Sequence, residues 1–72
     1  MDTVMYVKPG CPYCEAAREH LAQEGARVEE RDATRNADWK VELMSYTNNR
    51  GIVPTIVRSD GSVQVGFPPG RG

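Results

Sequence analysis

The chain is 72 residues long, with 39% hydrophobic and 26% charged residues and a formal net charge of −1. That is the balance of one small globular domain rather than of a disordered segment, and a domain this short is expected to be only marginally stable. Its basic residues are scattered from Lys8 to Arg71 with no run that could track phosphates, which argues against a nucleic-acid partner.

No apolar stretch approaches the roughly 20 residues that span a bilayer, and Met1-Asp2-Thr3 lacks the basic and apolar regions of a signal peptide. The expected compartment is therefore the cytoplasm, with no membrane partner. Thiols there stay reduced and structural disulfides are rare.

In chain order, Thr3-Val4-Met5-Tyr6-Val7 is a run of β-formers stopped by Pro9-Gly10, a buried strand. A helix follows at once. Pro12 suits its first position, Ala16, Ala17 and Leu21 favour it, and Gly25 is a natural stop. Residues 26–32 carry Val28 among charges, the pattern of an edge strand. Asn36 caps a second helix running to about Thr47. Trp39, Leu43 and Tyr46 share one face of it and are expected in the core.

Ile52-Val53-Pro54 leads into a strand from Thr55. Asp60-Gly61 turns it back through residues 62–65. The order β-α-β-α-β-β implies a parallel first pair with a right-handed crossover and a final antiparallel hairpin.

Both cysteines fall in Cys11-Pro12-Tyr13-Cys14, at the expected start of the first helix. They could be buried filler, metal ligands or a redox pair. A sulfur at the N-cap accepts hydrogen bonds from the N–H groups of Tyr13 and Cys14 and sits at the positive end of the helix dipole. Both effects favour thiolate, and such settings bring a thiol from ~8.5 down to about 3.5–7.5. Cys14 lies one turn on, within reach of a mixed disulfide on Cys11. Cys11 is thus the expected nucleophile and Cys14 the resolving thiol, with Lys8 adding positive charge.

Zinc would need about four ligands, and the chain offers two cysteines and His20, itself expected as a solvated helix residue. No bound metal or cofactor is expected. A Cu(I) carrier module is the alternative outside redox chemistry, because two thiolates suit a soft ion. Pro12 and Val53-Pro54 weigh against it. A cis bond at Val53-Pro54 would turn the Val53 backbone towards the cysteines, where its N–H and C=O could pair with an extended substrate.

These stretches resemble the glutaredoxin family. "YVKPGCPYC" is similar to its strand, lysine and dithiol site, "RGIVPT" to its cis-proline segment and "DGSVQVG" to its hairpin. The resemblance runs from about residue 4 to residue 66. It implies a thioredoxin-like α/β fold with a mixed four-stranded sheet, and reduction of protein disulfides or glutathione mixed disulfides. Carried over by position, Lys8, Tyr13, Arg50, Val53 and Pro54 would line a substrate groove for glutathione.

Two features depart from the family. Val65-Gly66-Phe67-Pro68-Pro69 stands where an acidic pair usually follows two glycines, and Gly66-Phe67-x-Pro69 is instead similar to the end of NrdH-type redoxins. Those accept electrons from thioredoxin reductase and pass them to a reductase such as ribonucleotide reductase, which makes this the second reading. The family's last helix is also missing. The expected organisation is a domain over residues 1–66 and an irregular tail over 67–72, either mobile or leaving an apolar patch on one sheet face. A monomer with weak self-association fits that picture.

Overall fold

The computed structural model describes residues 2–70. Its elements are β1 (Thr3–Val7), α1 (Pro12–Gln23), β2 (Val28–Asp32), α2 (Ala37–Tyr46), β3 (Thr55–Val57) and β4 (Val63–Val65). They form one mixed sheet in the order β2-β1-β3-β4, the α/β architecture expected of a thioredoxin-like fold. β1 pairs parallel with β2, and β3 runs antiparallel to both β1 and β4. β2 occupies an edge, and its sequence Val-Glu-Glu-Arg-Asp covers that edge with charge.

Local signals account for the element ends. Cys11 is extended (φ −92°, ψ 110°) and caps α1, with Pro12 in the first turn. Asn36 caps α2, its side-chain oxygen accepting from the N–H groups of Asp38 (2.9 Å) and Trp39 (3.2 Å). The hairpin closes through Asp60, whose carboxylate accepts from Ser62 N–H at 2.9 Å.

The core joins Met5, Tyr6 and Val7 of β1, Cys14, Ala17 and Leu21 of α1, Leu43 of α2, and Val53 and Ile56. The register puts Met5 and Ile56 on the sheet face under α1, and Tyr6 and Thr55 on the face towards α2. Arg18 clamps α1 to β2 through a two-pronged pair with Glu30 (2.6 and 2.7 Å). Such a half-exposed pair contributes about 0.2–1 kcal/mol.

On the other face, Tyr6 O–H donates to Glu42 Oε1 (2.6 Å) and Arg31 Nη1 donates to the same oxygen (2.7 Å). β1, β2 and α2 are thereby tied at one carboxylate. Burial and the hydrogen bond to Glu42 push the Tyr6 phenol up to about 12.

The expected face of α2 needs correction. Leu43 is buried, but Trp39 is half-buried and Tyr46 is 40% exposed, its ring centroid 5.8 Å from that of Tyr6. Leu43 is the one fully buried residue of this ten-residue helix, and Trp39 packs against the core from its first turn.

After β4, residues 66–70 form successive turns. Gly66 N–H donates to Pro54 O and Gly70 N–H to Val65 O, both at 2.8 Å. Phe67 packs against the core, its ring centroid 5.2 Å from that of His20 of α1. Its ring is thus seated on the fold rather than free; Arg71 and Gly72 lie outside the described residues. An apolar stripe does reach the surface on the α2 face, where Val4, Val57, Val63 and Val65 lie together and Val63 is 41% exposed. Among the described residues, no helix is long and apolar enough to cross a membrane.

Candidate active site

The turn from β1 into α1 carries the two cysteines. Gly10 takes φ +71°, a conformation that favours glycine, and lets the chain swing from the strand into the cap. Cys11 is half-buried and Cys14 is 2% exposed; both are free thiols. Cys14 N–H donates to Cys11 Sγ at 3.2 Å. A cap side chain accepts from the second or third residue of its helix, and here the third, Cys14, which is also the second thiol, supplies the bond. An N–H aimed at sulfur at a helix N-terminus stabilises negative charge there.

Cys14 has the opposite environment. Burial, followed by its contact with Cys11, pushes its thiol from 9.0 up to about 12, against a smaller opposing effect of a backbone hydrogen bond from Lys8. At neutral pH it stays protonated. Alkylation of the reduced protein should therefore modify Cys11 first and leave Cys14 until unfolding, as peptide mapping after a brief iodoacetamide pulse would show. Modification of Cys14 first would contradict this geometry.

The raised acids also set a pH dependence. A thiol or phenol that holds its proton more tightly in the folded state stabilises that state fully below its ordinary pKa. The contribution is lost as pH rises towards the folded value. For Cys14 that window runs from 9.0 to about 12, and for Tyr6 from 10.0 to about 12. Thermal unfolding of the reduced protein should fall across this alkaline range, and Tyr6→Phe should remove the upper part of the fall.

The third wall is the loop into β3. The Val53–Pro54 bond is cis, as the sequence reading expects; the Phe67–Pro68 bond is cis too, which it does not. Val53 and Pro54 are buried, and the Val53 carbonyl oxygen lies 4.0 Å from Cys11 Sγ. Among the described residues the Val53 N–H has no intramolecular partner. Thr55 supports the loop from below, its hydroxyl donating to Ile52 O at 2.8 Å.

The structure thus gathers Cys11, Cys14, Val53 and the backbone of Lys8. Tyr13 is 38% exposed in the first turn of α1. Lys8 and Arg50 have exposed side chains that line two separate depressions: Lys8 with Lys40 on one side, Arg50 with Tyr46, Thr47 and Ile52 on the other. Sequence reasoning missed Lys40, which is 32 positions from Lys8 and marked by no local motif. Among the described residues, no group of three or more His, Cys, Asp or Glu is arranged to hold a metal ion.

The chain is similar to proteins whose structures are known. A glutaredoxin from Brucella melitensis is 30% identical, with a TM-score of 0.71 over 92% of this chain and 70% of that one. A thioredoxin-like protein is 32% identical, with a TM-score of 0.79 over 92% of this chain and 88% of that one. A further structure, described by the words "metal binding of glutaredoxins", is 36% identical, with a TM-score of 0.54 over 81% of this chain and 63% of that one. No curated protein gives a significant match. The glutaredoxin family profile matches residues 3–63, which include the dithiol turn, both helices and the Val53–Pro54 loop. With a β2-β1-β3-β4 sheet carrying a buried and a half-exposed thiol at the start of α1, the chain belongs to the glutaredoxin family and is a thiol-disulfide oxidoreductase.

Proposed function

We propose that this protein reduces protein disulfides and glutathione mixed disulfides through a dithiol cycle in the cytoplasm, with no bound cofactor. The observation that carries the reading is the unequal pair: Cys11 half-exposed at the cap, Cys14 buried beneath it with its N–H on the Cys11 sulfur. Cys11 thiolate attacks one sulfur of the substrate disulfide, forming a mixed disulfide and expelling the other sulfur as a thiolate. Cys14 then gives up its proton to a leaving thiolate and attacks Cys11 Sγ. The second substrate thiol departs and a Cys11–Cys14 disulfide remains, so two electrons have passed to the substrate.

The high pKa of Cys14 supports this order, since the second thiol stays neutral until the first bond has formed. Val53 offers its N–H and C=O to an extended substrate backbone. Lys8, Tyr13, Arg50 and Pro54 complete the binding surface, and glutathione serves as substrate and reductant.

The residues after the hairpin bear on the reductant. No acid stands in residues 66–70, and Phe67 is turned onto α1 beside His20. A glutamyl amine therefore loses charge-assisted partners there, each worth about 1.5–3 kcal/mol or roughly 10- to 100-fold in affinity. Glutathione-dependent turnover should be detectable but poor. Arg50→Ala should lower it further, and acids introduced as Pro68→Asp and Pro69→Asp should raise it.

Assaying the oxidised protein with glutathione plus glutathione reductase, and separately with thioredoxin reductase, tests this. If glutathione leaves it oxidised and thioredoxin reductase recharges it efficiently, the second reading holds, an NrdH-like electron donor to a reductase.

A further inference from the structure

The cations of this chain are not equally satisfied. Among the described residues, Arg18, Arg27, Arg31, Arg35 and Arg58 each sit in an ion pair with a carboxylate, whereas Lys8, Lys40 and Arg50 do not. Lys8 and Lys40 line one open cavity of about 440 Å³, together with Thr34, Ala33, Leu43 and Met44. It has the size of a binding site for a small group, and none of its lining residues is acidic. Its floor is apolar: Leu43 and Ala33 are buried, and Met44 is a pliable filler beside them. Two exposed ammonium groups rim that floor.

The cavity adjoins the dithiol through Lys8, which stands three positions before Cys11 and whose backbone hydrogen-bonds the Cys14 sulfur. A group lodged there would therefore belong to whatever is being reduced.

We infer that the Lys8–Lys40 cavity is a docking subsite for the polypeptide substrate, taking an apolar side chain flanked by carboxylates close to the substrate's cysteine. This rests on the thiol-exchange reading above and adds a substrate class to it. The apolar floor calls for an aliphatic or aromatic side chain, and the unpaired lysines call for acids at its edges. On a chain whose net charge is −1, two unpaired cations at the rim of one cavity attract acidic partners to it. Such complementarity acts chiefly on encounter and register.

The test uses prereduced protein in single turnover on two disulfide-bonded peptides identical except beside their cysteine, where one carries Glu-Leu-Glu and the other Gln-Leu-Gln. The wild type should reduce the acidic peptide about three- to tenfold faster at low salt, and the gap should close as salt is added. Lys40→Gln should bring the rate on the acidic peptide down to that on the neutral one, and Lys40→Glu should make the neutral peptide the better substrate. Arg27→Gln removes the same charge from an exposed site paired only with Asp2, and should keep the full preference. Equal rates on both peptides with wild type, or a preference that survives Lys40→Gln, would overturn the subsite and leave the thiol-exchange reading standing. Reduction of neither peptide would overturn both.

Discussion

Cys11→Ser should abolish disulfide reduction, lowering the rate by about three orders of magnitude or more, while Cys14→Ser should still attack and then stall. A serine at the cap keeps the hydrogen bond from Cys14 N–H but offers a hydroxyl that does not ionise near neutral pH. Cys14→Ser removes the group that resolves the mixed disulfide and leaves the attacking sulfur and its cap in place. With a protein disulfide as substrate and no glutathione present, that variant should accumulate as a stable adduct. Mass spectrometry under non-reducing conditions reads both outcomes. Full turnover by Cys14→Ser under those conditions would remove the resolving role, and activity in Cys11→Ser would move the nucleophile to Cys14. Cys14→Ser should fold, because the replacement is close in size and the Lys8 backbone group that serves the sulfur can serve an oxygen.

What the sequence makes legible here is what local rules encode. Pro12 and Gly25 bracket α1, Asn36 starts α2, and Asp60-Gly61 turns the hairpin; each acts through its own backbone geometry within a few residues. The dithiol site belongs to the same class, since a cap, a proline and a second thiol one turn on need no tertiary information. The antiparallel pairing of β3 with β1 is not local. It depends on where the loop after α2 delivers the chain, and no residue type in that loop states a direction. The Tyr6–Glu42–Arg31 cluster joins residues up to 36 positions apart, and Lys8 meets Lys40 only in the fold. Tyr46 shows the limit of periodicity. It has the right spacing for the core and its ring lies against buried Tyr6, yet it stays 40% exposed.

Gly51→Ala, at a buried loop position, should be among the most destabilising loop substitutions, by about 1–3 kcal/mol, or roughly 4–20 °C in Tm for a domain of this size. The loop it sits in brings Val53 to Cys11. Thr47 closes the end of α2, its hydroxyl donating to Leu43 O at 2.8 Å and accepting from Gly51 N–H at 2.9 Å. Asn48 and Asn49 follow at φ 54° and 65°, which asparagine tolerates better than most residues, and Gly51 takes φ +66°. A Cβ at residue 51 would stand 2.9 Å from Met44 Cε. Two costs therefore add: a left-handed backbone that alanine resists, and a contact that Met44 must yield to. Met44 is flexible enough to relieve part of the second but cannot touch the first. In a Met44→Ala background, Gly51→Ala should thus cost only the backbone part, about 1–2 kcal/mol, and the difference between the two backgrounds measures the contact. Exchange by Gly51→Ala should slow even where the protein is folded, because a shifted loop moves the Val53 carbonyl and N–H away from the Cys11 sulfur. A Tm equal to wild type would show that the loop reaches the same geometry without glycine, and the link between residue 51 and the site would fall with it.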